Sequence, residues 1–372
     1  MKIAFLIGEL RANAGQTNNL VEITKFILKH KPGWQLTIFA HRVYSENLFD
    51  SKVNVREIKS YYSSLISNKK LTTELKKFDL AYIKGNFPYL MPAKRANVKT
   101  ILVVHHRDSP KLFSKMSDKI KVFGTNLLIG FMVNIADSVV TVSSELKDYY
   151  RIKYSIDAIV IEDQISNIFF KTRGTAFKSG NIINFLSVGY WDGENGRKRQ
   201  HMLLDLFSRL KGSMPQFTLT FSGLDRASLT KLGEISDNYG LAECVKLKGI
   251  LSMDELQAEY QSNDIYVTAT TYEGFYRQIV EAFASGMPAI VYDSRPMVDS
   301  VSQCASVNHV IKSNAGLLFS DFTDLSSAIR TVLDNYEVYS KNAIEYSKNF
   351  SPQITGKKTL DLIENMVNNS RN

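Results

Sequence analysis

The stretch "ATTYEGFYRQIVEAFASGMPAIVYD", residues 269–293, decides how the chain is read, because turn, helix and strand signals follow one another within it. The apolar run "DIYVTA" at 264–269 leads in as a strand, and "TTYEGFY" is the turn at its carboxyl end. "RQIVEAFA" has helical periodicity and is stopped by Gly286 and Pro288, after which "PAIVYD" reads as the next strand. A strand, a short helix and a strand in this order are the unit of a parallel sheet. Glu273 sits in the turn and Glu281 eight positions later on the helix. Carboxylates accept hydrogen bonds from hydroxyl groups, and the helix start, near Phe275 to Arg277, offers backbone N–H groups to an anion.

Outward from this unit the same alternation recurs. "IINFLSVG", "FTLTFSG" and "CVKLKG" precede it, and "KIAFLI", "QLTIFA", "DLAYIKG", "TILVVHH", "DSVVTVS" and "AIVIED" fill the first half. Between the two series "KTRGTAFKSGN", 171–181, loses periodicity and gains Gly, Lys and Ser, which predicts a linker and two α/β domains, 1–172 and 173–350. Two open parallel sheets in series place a ligand at the carboxyl ends of their strands, in a cleft between domains.

The 372 residues are 44% hydrophobic and 22% charged, which suits a globular chain and excludes a fibrous or disordered one. Cys244 and Cys304 supply neither a disulfide framework nor a Cys-x-x-Cys metal site, and a reducing cytoplasm fits. "LLIGFMV", 127–133, is far too short to span a bilayer, so any membrane contact is expected to be peripheral, on the inner face. Residues 1–170 carry 25 Lys and Arg against 15 Asp and Glu, while 171–372 carry 21 against 22, so a basic surface belongs to the first half. There "KLFSKMSDKIK" sets Lys111, Lys115 and Lys119 beside Leu112, Met116 and Ile120, a basic amphipathic face if helical. The commoner arrangement packs such an apolar stripe in its own core; the alternative lays it on an anionic membrane. Nucleic acid is not expected as a partner, because the lysines are not grouped with aromatics on a recognisable module.

The two glutamates, with Glu-Gly-Phe between them and Ala-x-Ala-Ser-Gly-x-Pro after, resemble the signature of the retaining glycosyltransferases of family 4 (glycosyl transferases group 1), which have the GT-B fold. The resemblance extends to "ADSVVTVSSELKDYY", "AIVIEDQISNIFF", "FLSVGYWDGENGRKRQHMLLDLF", "VKLKGILSMDELQAEYQSNDIYVTATTYEGF" and "FSPQITGKKTLDLIENMV". It implies two Rossmann-like domains facing across a cleft, the first binding acceptor and the second nucleotide-sugar donor, with 351–372 as a helix returning to the first. It further implies that Glu281 holds the donor ribose, that Glu273 bonds the donor sugar beside the reacting carbon, and that Lys198 neutralises the leaving diphosphate. Gly274, Phe275 and Tyr276 would line the donor, Gly15 would let backbone approach the phosphates, and a histidine near the anomeric centre would be His106, with His105 as the other register.

The chain departs from that pattern where Tyr190 replaces an arginine, Arg199 and Tyr276 replace glycines, and Asp163-Gln164-Ile165-Ser166 replaces an Asn-Gly-Val-Asp turn. Arg197, next to Lys198, is the candidate for the missing cation. The chain has no Asp-x-Asp, so no cofactor and no phosphate-bearing metal are expected. The reading is a metal-independent retaining transferase. It would move a sugar from a UDP-sugar, with a GDP-sugar as the alternative, to a glycan or lipid-linked acceptor in polysaccharide or glycoconjugate synthesis. The rival readings are a non-catalytic partner in a glycan-assembling complex and a sugar-nucleotide epimerase.

Overall fold

The structure is a computed structural model. It describes residues 1–368 except 13, 46, 59–67, 86, 106–115, 173, 178–179, 181, 195, 214–215 and 299–303. Two compact units form: Met1–Gln164 together with Phe350–Asn372, and Ile165–Asn349.

The first unit is built on β1 (Lys2–Leu10), β2 (Gln35–Val43), β3 (Val53–Glu57), β4 (Leu80–Lys84), β5 (Lys99–Val104), β6 (Ser138–Thr141) and β7 (Ile159–Val160). These lie in the order β3-β2-β1-β4-β5-β6-β7, all parallel. The second is built on β8 (Ile182–Val188), β9 (Gln216–Leu224), β10 (Val245–Gly249), β11 (Ile265–Thr268), β12 (Ala289–Tyr292) and β13 (Gly316–Phe319). Their order is β10-β9-β8-β11-β12-β13, again parallel. Sequence patterning missed β3, "VNVRE", and β13, "GLLF". Both are edge strands, which pair on one side only and need no long apolar run.

In each sheet the winding reverses beside the first strand, between β1 and β4 and between β8 and β11. In open parallel sheets such reversal points are where ligands bind, at the carboxyl ends of the strands. In the second unit Tyr266 pairs with Leu186, which sets the loop after β8 beside the loop after β11. The register is fixed by a core in which Phe207, on the Gln200–Leu210 helix, meets Phe185 and Phe217 edge-on at 4.9 and 5.2 Å.

Residues 165–172 pack with the second unit, ahead of the stretch 171–181. Ile165 and Phe169 are fully buried, and the Phe169 carbonyl accepts from the Ser285 hydroxyl at 3.2 Å. The Lys357–Asn368 helix belongs to the first unit, where it buries Leu360, Ile363 and Val367. Gly356 just before it admits Phe26, since a Cβ there would lie 2.7 Å from the Phe26 ring.

Candidate functional site

Two loops of the second unit carry the site. The first leaves β8 at Gly189 and runs to the Gln200–Leu210 helix; the second leaves β11 at Ala269 and runs to the Arg277–Ala284 helix. Asp192 turns the first loop by accepting from the backbone N–H groups of Arg197 and Lys198, at 3.0 and 3.2 Å. The Thr271 N–H then donates to the Arg197 carbonyl at 2.8 Å and ties the loops together.

Both cations consequently meet one carboxylate. Lys198 Nζ lies 2.7 Å from Glu273 Oε1, and Arg197 Nη1 lies 3.2 Å from Glu273 Oε2. The Tyr190 hydroxyl accepts from Arg197 Nη2 at 2.6 Å, and the Arg197 guanidinium also lies 5.5 Å from the Tyr272 ring. Lys198 Nζ stands over the face of Tyr276, 4.6 Å from its centroid. Burial opposes the charge on Lys198, but Glu273 and Tyr276 more than offset it, and the ammonium titrates above its ordinary value. Arg197 is raised in the same way, its burial outweighed by Glu273 and Tyr190.

Arg199 and Tyr276, which stand where the resemblance expects glycine, both have left-handed backbone, with φ of +49° and +55°. The glycine's conformation is kept without the glycine. For Tyr276 the strain is held by its buried hydroxyl, which shares hydrogen bonds of 2.9 Å with Tyr266 and with Thr268. Gly274 and Phe275 are buried in the same turn, and the Phe275 carbonyl accepts from His309 Nε2.

Glu281 has other partners. It is 5% exposed, accepts from the Tyr260 hydroxyl at 3.1 Å, and pairs with Arg277 at 3.4 Å. Burial raises its pKa despite those two contacts.

The other expected residues belong to the first unit. Gly15 opens the Gly15–His30 helix. His105 is buried, with Nε2 3.7 Å from Asp163 Oδ1, and lines a cavity of about 140 Å³ together with Gln16, Gly85 and Asn126. His106, Lys111 and Lys115 lie outside the described residues. Lys119 is half-buried on the Met116–Ile135 helix. On that helix Met116 and Ile120 are 69% and 65% exposed, so the expectation that their stripe packs into the unit's own core is corrected: the core-facing side is formed by Val122, Asn126 and Met132 instead. Among the described residues no group of three His, Cys, Asp or Glu side chains is placed to hold a metal, and no helix is long and apolar enough to cross a membrane.

Sequence reasoning missed Asp192, Tyr272 and His309. Asp192 and Tyr272 lie near the motif residues in sequence but carry no signal there; His309 reaches the turn from 34 positions away.

Residues 186–350, less than half of the chain, match the family model described as Glycosyl transferases group 1. The GtfA subunit of the UDP-N-acetylglucosamine–peptide N-acetylglucosaminyltransferase of Streptococcus parasanguinis is 30% identical over 166 residues, 42% of this chain. The match spans 31% of that relative's length. Among solved structures, Anabaena Alr3699/HepE in complex with UDP-glucose superposes with a TM-score of 0.74 at 16% identity, covering 98% of this chain and 100% of that one. Sucrose-phosphate synthase from Thermosynechococcus elongatus gives 0.72 at 17% identity, covering 98% of each. The fold is GT-B, two Rossmann-like units with parallel sheets.

Proposed function

We propose that this chain is a retaining glycosyltransferase that takes a sugar from a nucleotide diphosphate sugar, with the second unit binding the donor. The observation that carries the reading is the convergence of Lys198 and Arg197 on Glu273 beside the start of the Arg277–Ala284 helix. Glu273 pairs with both cations, and its single negative charge leaves the trio net positive. A donor diphosphate would take its place on them and free the carboxylate for hydroxyls of the donor sugar, while Glu281 takes the ribose. Positive groups already in position stabilise the charge that develops on the leaving diphosphate, which is where such a reaction needs help most. The bond from the anomeric carbon to the diphosphate breaks as the acceptor oxygen bonds to the same face. The departing phosphate oxygen takes the acceptor's proton, so neither a protein base nor a metal is required.

UDP is the favoured nucleotide, supported by the UDP-glucose complex of the Anabaena protein and the UDP-N-acetylglucosamine named for the streptococcal relative. A GDP-sugar is the alternative. The acceptor is a glycan or lipid-linked sugar in polysaccharide or glycoconjugate synthesis, met in the cytoplasm; the peptide acceptor in the relative's name makes a polypeptide the second reading. Calorimetry with UDP tests this. Glu281→Ala should weaken UDP binding, whereas Glu273→Ala should keep it or strengthen it and yet abolish most turnover of a UDP-sugar. Failure of UDP and GDP alike to bind the wild type would overturn the reading.

A further inference from the structure

The Met116–Ile135 helix is apolar on two sides. Its inner side buries Val122, Met132 and Val133. Its outer side exposes Met116, Ile120, Phe123, Leu127 and Phe131, each between 56% and 70%. At 3.6 residues per turn these five fall within ~80° of arc and run ~22 Å along the axis. Isolated exposed apolar residues are ordinary, but an unbroken stripe of five large ones marks a surface that something covers.

We propose that this stripe docks the first unit on an anionic lipid bilayer. Three observations select that occupant. On a helical wheel, Lys119 lies ~40° beyond one edge of the stripe, where its ammonium reaches lipid headgroups while the apolar side chains enter the acyl boundary, and Lys121 lies ~80° beyond the other. Asp118 is the one acidic residue in the sequence of the helix, and Lys111 and Lys115 precede it in the chain. The charge of residues 1–170 is +10, against −1 for the remainder, so the excess that attracts an anionic surface resides in the unit that carries the stripe. The stripe is one helix wide, a shape suited to lying in a bilayer interface more than to the broad patch of a stable protein interface. This surface stands independently of the donor site, which lies in the other unit.

Sedimentation of the full chain with phosphatidylcholine vesicles, with and without phosphatidylglycerol, tests the inference. The wild type should sediment with the phosphatidylglycerol vesicles alone, and Leu127→Glu with Phe131→Glu should lower its affinity at least ~10-fold. Lys119→Glu with Lys121→Glu should weaken the same binding. Because all four side chains lie at the surface or its edge, thermal melts should stay at the wild-type value. Phe123→Trp should shift its emission to the blue on adding those vesicles. Absence of wild-type binding, equal binding to phosphatidylcholine alone, or double-Glu binding as tight as wild type would each overturn the proposal. So would a dimer, seen by light scattering without lipid, that Leu127→Glu splits, since the stripe would then face a second copy of the chain.

Discussion

Lys84 and Lys198 each stand beside a carboxylate near the carboxyl end of a strand where the sheet order reverses, yet their surroundings differ. Lys84 ends β4, is 2% exposed, and bonds Asp163 at 3.1 Å and Asn19 at 2.5 Å. It binds together three distant parts of the first unit. Lys198 is 6% exposed, but its partner Glu273 reaches solvent and is shared with Arg197, whose side chain is 23% exposed. Burial of both members makes the Lys84–Asp163 pair chiefly a tie between elements of the fold. A carboxylate that holds two cations at an accessible edge can be exchanged for a ligand's anion.

The largest effect expected is at the closed pair. Lys84→Met leaves Asp163 without its ammonium, and breaking a buried pair of this kind destabilises by about 3–5 kcal/mol. Chemical denaturation should show that loss with UDP affinity unaltered in the folded protein; a wild-type melt would break the comparison by freeing Lys84 for another task. Lys198→Ala should instead lower turnover ~100-fold or more. Its effect on the melt should be well below that of Lys84→Met, and equal losses of stability at the two sites would mean that both pairs are structural.

A finer test uses the departure at Tyr190, whose hydroxyl holds Arg197 against Glu273. Arg197→Ala should lower turnover at least ~10-fold, and adding Tyr190→Arg should restore part of it, as coupled neighbours do. Full activity of Arg197→Ala would show that one cation suffices. The smallest effect concerns Glu281. Burial raises its folded-state pKa above the ordinary 4.5, so the folded chain binds this proton more tightly than the unfolded chain. The ionised carboxylate therefore withdraws stability as pH rises from 4.5 through the raised value. Glu281→Gln is always neutral, and its melting temperature minus that of wild type should grow more positive between about pH 4 and pH 7. A difference that does not change with pH would mean that Glu281 titrates as an exposed acid.

The loop that carries Glu273 was legible because its signals are local. Strand, turn, helix and stop occupy 25 consecutive residues, and Glu273, Gly286 and Pro288 mark them by residue type alone. The left-handed backbone at Arg199 and Tyr276 was foreshadowed too, as places where glycine was expected. Position Tyr190 raised the question of a missing cation, but only the packed loop showed its hydroxyl on Arg197. The stripe of the Met116–Ile135 helix was half seen: Met116 and Ile120 have the spacing of any amphipathic helix, and spacing does not say which of two apolar sides meets the core.

The order of apolar runs, turns and short helices by itself determined two parallel α/β units and the Glu273 turn, the charge count located the basic first half, and the resemblance supplied Lys198 and Arg197 as candidates, since each depends on neighbours in the chain. The tertiary structure decided what depends on distant ones. It joined Lys84 to Asp163 across 79 positions, gave Glu281 to Tyr260 and Arg277, and turned Met116 to Phe131 outward. The physical reason is that periodicity records how a segment is wound, whereas the partner of a charge or of an apolar side is set by whichever strand end the fold brings beside it.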